Sequence, residues 1–360
     1  MICDGFPTAD KVRRISDDPQ HLRDPRLTAS AGSLVAVSDR RKKYPDRWGQ
    51  THSPTDPMKT RFPAVKSLPF AFLAWLLSFA PFAAAADWPG WRGPRGDGSS
   101  DETGVPLRWS STENIAWTTP LPGKGHSSPI VFGDRVFITT CLEQAQQHVL
   151  LCLDRLTGKV LWQQSAPAKL QSPIHKLNSH ASSTPATDGK LVWVSFLDHP
   201  DMTIIGYDVT DGKQVWKTVP GVMLSKHGYC SSVVPYQDTI IINGDQDAQG
   251  FIVALDQATG RERWRTDRPN RTRSYCPPTL IEVQGRKQLV LSGSLCVAAY
   301  NPDTGALIWI IDGPTEQFVS SPIHLADVVF MTYGFPKRGI CAIDPGGTGN
   351  VTATHVVFNL

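Results

Sequence analysis

Four copies of one eleven-residue pattern, repeated at a nearly constant interval, limit what this chain can fold into more than any other feature. Each copy reads small-x-Asp-x-x-x-Gly-x-x-x-Trp, with Asn replacing Asp in the fourth copy. The copies span residues 152–162, 206–216, 254–264 and 299–309, and their tryptophans are 54, 48 and 45 residues apart. A repeat of about 40–50 residues with strand-like content is typical of a β-propeller or a related array.

The pattern has the chemistry of a β-hairpin that docks against a neighbour. The Asp carboxylate accepts backbone N–H groups of the turn, and Gly adopts the positive φ that the turn needs. The Trp lies on the following strand, where burial of its ring requires a partner for the indole N–H. We therefore predict a structural, blade-docking role for one set of residues: Asp154, Gly158, Trp162, Asp208, Gly212, Trp216, Asp256, Gly260, Trp264, Gly305 and Trp309.

A second marker gives the number of units. Ser-Ser-Pro or a variant precedes a strand in each unit, at residues 127–129, 183–185, 231–232, 276–278 and 320–322. Five markers predict an all-β chain with about five four-stranded antiparallel blades. The fifth unit is irregular, because its hairpin at residues 342–349 is longer and no Trp follows it.

The N-terminal part differs in composition from the repeats. Residues 1–57 are polar and are predicted to be disordered or a mis-annotated extension. Residues 58–86 combine a basic start, an uncharged apolar run and four alanines before Asp87, the pattern of a secretory signal peptide. A single membrane anchor is the alternative. We expect residues 87–360 to form the propeller and to be exported, to the periplasm or the cell surface.

Charge and cysteine content exclude some classes of function. Residues 87–360 hold 23 Lys and Arg against 25 Asp and Glu, so the +3 of the whole chain comes from its leader. No nucleic-acid partner is indicated by this balance. Six of the seven cysteines lie in this part, without a Cys-x-x-Cys motif, so zinc and redox motifs are not expected. Cys141 and Cys152 flank one hairpin, so the sequence leaves a disulfide between them as an alternative to two free thiols.

These repeats resemble the PQQ-like (pyrroloquinoline-quinone-type) repeat, in which the eleven-residue pattern is the docking motif. The opening Asp-Trp-Pro-Gly-Trp-Arg-Gly of residues 87–93 is similar to the segment that begins such propellers. The resemblance covers residues 87–360 and implies a quinoprotein-like fold of eight blades. About five blades would then form an incomplete ring, so we expect the propeller to be truncated at its C-terminal side.

The resemblance has two functional branches. Quinoprotein dehydrogenases hold PQQ and calcium and typically carry a Cys-Cys pair, which this sequence lacks. The other branch is non-catalytic and is similar to BamB-type outer-membrane-assembly proteins. We therefore expect a scaffold without catalytic residues, metal or cofactor, which binds envelope proteins or an extracellular ligand. A PQQ-dependent alcohol-type dehydrogenase and a cell-surface carbohydrate-binding module are the alternatives. The membrane would be contacted only through the signal segment.

One mouth of the channel is the candidate ligand site. Loops before the predicted innermost strands contain several His residues at equivalent repeat positions, followed by a loop rich in Arg. Imidazoles can bind metals or anions, and guanidinium groups can clamp carboxylates or phosphates. The alternatives are that each His only stabilises its own loop and that the loop rich in Arg is exposed to solvent. The candidate ligand-binding residues are His126, His180, His227, Tyr229, Arg271 and Arg273.

Overall fold

The computed structural model describes residues 86–360 of the chain. Regular structure in this part consists of twenty-one β-strands and one four-residue helix. Within it, no helix is long and apolar enough to cross a membrane. The predicted extension (1–57) and the predicted signal peptide (58–86) lie outside the described residues, except for Ala86.

Five antiparallel sheets follow one another along the chain, and we call them blades I to V. Blade I contains β1 (Ile130–Phe132), β2 (Arg135–Leu142), β3 (Gln147–Asp154) and β4 (Val160–Pro167). Blade II contains β5 (Ala186–Thr187), β6 (Leu191–Asp198), β7 (Asp201–Asp208) and β8 (Gln214–Val222). Blade III contains β9 (Val234–Tyr236), β10 (Thr239–Gly244), β11 (Phe251–Asp256) and β12 (Glu262–Asp267).

The last two blades are linked by an insertion. Blade IV contains β13 (Thr279–Val283), β14 (Arg286–Gly293), β15 (Cys296–Tyr300) and β16 (Leu307–Asp312). Blade V contains β17 (Ile323–Leu325), β18 (Val328–Tyr333), β19 (Gly339–Ile343) and β21 (Val356–Asn359). Between β19 and β21 the chain forms β20 (Gly349–Asn350), which pairs in parallel with β16, and helix α1 (Thr352–His355). The irregular fifth hairpin of the sequence is therefore an excursion that adds a fifth strand to blade IV.

The strands of each blade lie side by side in chain order, so the first strand forms one edge of its sheet. We call β1, β5, β9, β13 and β17 the inner strands, since those of blades II, III and IV line one common cavity. The predicted all-β propeller of four-stranded antiparallel blades is confirmed. The described part holds five blades, fewer than the eight that the resemblance implies, and they form an incomplete ring.

The turn between the third and fourth strands has the hydrogen bonds that its sequence predicts. In blade I, Asp154 Oδ1 accepts the backbone N–H groups of Leu156 and Thr157 at 3.1 and 2.7 Å. Gly158 then adopts a φ of +69°. The Thr157 hydroxyl and N–H groups that donate to Asp154 lower the pKa of its carboxyl group. The side chains of Asp208, Asp256 and Asn301 accept backbone N–H groups in the same way.

Each tryptophan of the pattern, except the last, packs on the turn glycine of the next blade. A methyl group on Gly212 would lie 2.7 Å from the ring of Trp162, and one on Gly260 would lie 2.5 Å from the ring of Trp216. Trp264 covers Gly305 in the same way. The three indole N–H groups donate to backbone oxygens of the covered turns, those of Val209, Gln257 and Pro302, at 3.2, 2.9 and 3.0 Å. The missing side chain of Gly is thus what admits the ring of the preceding blade.

Trp117 begins this series and Trp309 interrupts it. The Trp117 ring lies over Gly158 although it precedes the first described strand. The Trp309 indole instead donates to the side-chain oxygen of Gln288 within its own blade, at 2.7 Å, and its side chain is fully buried. The reason is that β20 pairs with β16 at Trp309. The inserted strand therefore replaces a tryptophan contact at the junction of blades IV and V.

The apolar cores lie between blades rather than within them. One cluster combines Phe137 and Leu150 of blade I with Val194 and Phe196 of blade II. A second cluster joins blades II and III, and a third joins blades III, IV and V. Burial between sheets explains why both faces of the two middle strands are apolar, as in the fully buried interior of β6. The cysteines of the described part are all free, so Cys141 and Cys152 do not form a disulfide.

His148 provides a pH-dependent contact between blades I and II. Its ring stacks on Phe196 with 4.4 Å between ring centroids, its Nε2 lies 3.2 Å from the carbonyl oxygen of Leu197, and the residue is 2% exposed. Burial lowers the pKa of His148 to about 4. Between that value and the unfolded value near 6.5, the unfolded chain binds more protons, so stability rises with pH.

We expect the free energy of unfolding to fall by about 3 kcal/mol from this group as the pH drops from about 7 to 4. Urea denaturation at several pH values would measure this loss. His148→Phe, which keeps the stacked ring without a titrating group, should remove this part of the pH dependence. His126→Gln, at an exposed position, should leave it in place. Equal pH profiles for wild type and His148→Phe would contradict the assignment.

Candidate functional site

The Ser/Thr residues of the second marker join neighbouring blades beside their inner strands. The Ser128 N–H donates to Thr184 Oγ1 and the Thr184 N–H donates to Ser232 Oγ, both at 3.0 Å. Farther along, Ser292 Oγ donates to the carbonyl oxygen of Ser320 at 3.3 Å. These hydrogen bonds fix the loops that lead into the inner strands. Because strands alternate in direction within a blade, these loops lie on one face of the propeller, which we call the entry face.

The chain covers its own inner strands with residues 88–96, the N-terminal segment. Trp88 exchanges two backbone hydrogen bonds with Val131 of β1, at 2.7 and 3.0 Å. The Thr187 N–H of β5 donates to the carbonyl oxygen of Pro89 at 2.9 Å. Both contacts use the free edges of inner strands, the edges that have no further strand in their own sheets. Part of the inner surface of blades I and II is therefore occupied by the chain itself.

The N-terminal segment continues from blade II toward the later blades. The Trp91 indole lies 3.4 Å from Ser321 Oγ, which precedes the inner strand of blade V. A cavity of about 210 Å³ remains between the segment and the inner strands of blades II, III and IV. Its walls include Arg92 and Arg95 from the segment and Val234 from β9.

The candidate residues His126 and His180 lie at a second cavity, on the entry face between blades I and II. This cavity has a volume of about 570 Å³ and is also lined by Lys124, Glu143 and His175. His126 is exposed, whereas burial lowers the pKa of the half-buried His180. Lys124 and Glu143 form an ion pair at 3.0 Å. Lys176 also lines the cavity, so two lysines and one carboxylate leave it with a small positive charge.

Tyr229 is held in the core rather than at the mouth. It is 6% exposed, and its hydroxyl lies 2.6 Å from Ser195 Oγ. Burial raises its pKa above the usual range. It shares a small internal pocket with His180, so these two candidates are neighbours. This position favours a packing role for Tyr229.

His227 and Arg273 form a third group, on the entry face at blades III and IV. The His227 ring lies 5.4 Å from that of His175 and 6.2 Å from that of Tyr275, between centroids. Burial, followed by the charge of Arg273, lowers the pKa of His227. Arg273 is ion-paired with Asp247 and is only 8% exposed. Arg271 is exposed.

The six candidates therefore divide among neighbouring sites instead of converging on one point. In residues 86–360, no group of three or more His, Cys, Asp or Glu side chains is arranged to hold a metal ion. His227 and Arg273 instead contact other side chains, the ring of His175 and the carboxylate of Asp247. His175 bridges two of the groups, and sequence reasoning did not select it because it lies outside the equivalent repeat positions.

A buried ion pair is the polar feature that the sequence did not reveal. Arg268 belongs to the loop rich in Arg that follows β12, and Asp245 directly follows β10. Both side chains are fully buried, with Arg268 Nε 2.8 Å from Asp245 Oδ1. Ser274 Oγ donates to the same carboxylate at 2.9 Å, and Arg268 also donates to the Tyr300 hydroxyl. Burial opposes the charge of Arg268, but Asp245, Cys296 and Tyr300 together outweigh it and keep the pKa of Arg268 well above its usual value.

Known proteins of two kinds are similar to this chain. Outer membrane protein assembly factor BamB from Bordetella pertussis is 26% identical over 242 residues, which cover 63% of this chain and 52% of that protein. A polyvinylalcohol dehydrogenase from a Pseudomonas species is 26% identical over 165 residues, covering 42% of this chain and 24% of that enzyme. The chain thus spans between a quarter and about half of the length of these curated relatives.

The comparison of folds gives the same architecture. The crystal structure of BamB from Moraxella catarrhalis superposes with a TM-score of 0.51 at 20% identity, covering 69% of this chain and 68% of that one. The family described as outer membrane protein assembly factor BamB matches residues 109–274 and 248–352. These two matches together extend over most of the blades. The chain accordingly belongs to this family of PQQ-like repeat propellers.

Proposed function

We propose that this chain is a non-catalytic scaffold of the bacterial envelope, which acts in the assembly of outer-membrane proteins by binding other proteins. The N-terminal segment carries this proposal, because it occupies edges of inner strands that face the centre of the propeller. Inner edges that the chain itself covers are not available to a partner, which leaves the outer faces for binding. The similarity to two BamB proteins supports the same role.

The entry face has the composition of a protein-binding surface. Large apolar side chains are exposed in the loops that precede four of the inner strands: Leu121, Leu177, Leu224 and Val319. Leu177 and Val319 are 72% and 74% exposed. Exposed apolar side chains repeated on one face of a propeller are suited to docking of protein partners. We assign partner binding to this face.

The residues at the centre do not fit a quinone with a calcium ion. Calcium prefers several carboxylate and carbonyl oxygens. Among the described residues that line the central cavity, none is Asp or Glu, whereas Arg92 and Arg95 both contribute positive charge. Two guanidinium groups repel a divalent cation. The sequence also lacks the Cys-Cys pair of the quinoprotein dehydrogenases. The similarity to a polyvinylalcohol dehydrogenase therefore supports the fold more than the activity.

Complementation of a deletion strain tests the proposal. Loss of the gene should lower the amount of β-barrel proteins in the outer membrane, and the wild-type gene should restore it. A Leu177→Asp, Val319→Asp variant should fail to restore it although the protein is present and folded. Leu156→Asp is the matched control, since Leu156 is 77% exposed but lies on a β3–β4 turn, on the opposite face. Unchanged barrel levels in the deletion strain would contradict the proposal.

A further inference from the structure

The cavity beneath the N-terminal segment has apolar walls and a cationic group at one side. It has a volume of about 210 Å³. The walls are formed by Trp91 and Pro94 of the segment and by Val234, Pro235, Pro278 and Leu280 of blades III and IV. Two side chains bring charge to it, Arg92 and Arg95, and both are positive. The space is therefore suited to a ligand with an apolar body and a negative end.

One guanidinium nitrogen of Arg92 is buried without a hydrogen-bond partner. Its Nη1 atom is buried and has no hydrogen-bond partner within residues 86–360. Burial of a guanidinium nitrogen without an acceptor costs free energy, and an anion at this place would recover that cost. Asp97 and Asp101 pair with Arg95, at 3.7 and 2.5 Å. Within residues 86–360, Arg92 by contrast has no ion-pair partner within 4.0 Å.

Arg92, in the wall of the cavity, has an unfavourable backbone conformation. Arg92 has a φ of +62°, in the left-handed region that residues other than Gly rarely adopt. Two turns maintain it: the Gly93 N–H donates to the Gly90 oxygen at 3.0 Å, and the Gly98 N–H donates to the Arg92 oxygen at 2.9 Å. The ring of Trp88 packs against Gly93. Strain that the surrounding structure maintains is typical of binding positions.

From the strained backbone, the unpartnered guanidinium nitrogen and the apolar walls, we infer that this cavity binds a small organic carboxylate with an aromatic or aliphatic body. Arg92 pairs with the carboxylate, since the planar guanidinium matches its two oxygens. The apolar body lies against Val234 and Leu280. Inorganic phosphate offers the charge without the apolar body and is expected to bind weakly. The site is independent of the partner-binding face and of the scaffold role.

Isothermal titration of the full chain with 3-phenylpropionate tests the inference. We expect saturable binding of one equivalent, and binding of the neutral amide of the same acid to be about 10–100-fold weaker, as for the loss of a charged hydrogen-bonded pair. Inorganic phosphate is the second comparison. Binding of the amide or of phosphate as tightly as the acid would overturn the inference, and so would the absence of acid binding.

Two variants locate the site. Arg92→Met removes the guanidinium group with a side chain of similar length and should weaken binding of the acid about 10–100-fold. Arg108→Met is the matched control and should change it less than about twofold, because Arg108 is exposed and does not line the cavity. Circular dichroism would verify that both variants are folded. A third variant, Arg92→Lys, keeps the charge and should retain part of the affinity for the acid. Equal affinity in wild type and Arg92→Met would overturn the assignment.

Discussion

Replacing Asp245 with alanine should lower the free energy of unfolding by about 3–5 kcal/mol, since it leaves the charge of Arg268 buried without its counter-ion. Both side chains of this pair are completely buried. The change also removes the acceptor of the Ser274 hydroxyl. Blades III and IV meet at this point, because Arg268 also contacts Tyr300 of β15. Guanidinium or urea denaturation measured by circular dichroism would give the loss directly.

Two further variants separate charge from packing at this position. Asp245→Leu combined with Arg268→Met replaces the pair with apolar side chains and should recover most of the loss. Asp211→Ala removes the carboxylate of an exposed ion pair with Lys213 and should have no measurable effect. If Asp245→Ala were as stable as wild type, or if the double variant were as unstable as the single one, the buried pair would not have the assigned role.

Trp216→Ala should cost about 3–5 kcal/mol, because it removes a buried ring that packs blade II on blade III and leaves a cavity. The Trp216 ring covers Gly260, its indole N–H donates to the Gln257 oxygen at 2.9 Å, and the residue is 8% exposed. Hydrogen exchange should show loss of protection in the β11–β12 hairpin in particular. Leu156→Ala, at a 77% exposed position, is the control and should be neutral.

Glycine variants test the same contact from the opposite side. Gly260 and Gly285 have φ values of +69° and +74°, so alanine at either position should cost about 1–2 kcal/mol in backbone strain. A methyl group at Gly260 would also lie 2.5 Å from the Trp216 ring, whereas one at Gly285 would meet no atom within 4 Å. Gly260→Ala should therefore cost about 1–3 kcal/mol more than Gly285→Ala. Equal losses would show that the close contact between the Trp216 ring and Gly260 does not contribute to stability.

The blade architecture could be predicted from the sequence because its signals are local. The Asp, the Gly and the Trp of each copy lie within one hairpin, and the ring needs only the next copy to complete its contact. The exception, Trp309, illustrates the limit. Its partner is the side chain of Gln288, and the strand that displaces the usual contact comes from the insertion after β19. Neither pairing has a signature in the sequence.

The polar sites were less predictable because they depend on distant pairings. Asp245 and Arg268 are 23 residues apart and lie in different loops of blade III, and only the packing of blade IV buries them. The His residues occupy equivalent repeat positions, but only His126 and His180 line one cavity, whereas His227 lies beside His175 and Tyr275. The N-terminal segment had a recognisable sequence, yet its contacts with β1 and β5 could be read only from the structure.

We propose that this propeller, whose own chain covers the inner strands of blades I and II, works as a scaffold rather than as a quinone enzyme. Equilibrium titration of the full chain with PQQ and calcium, followed by absorbance and by dye reduction with alcohols and polyvinyl alcohol, tests it most directly. A quinoprotein dehydrogenase would serve as the positive control. The account predicts no calcium-dependent binding of PQQ and no alcohol-dependent dye reduction. One equivalent of bound PQQ that supports dye reduction would contradict it.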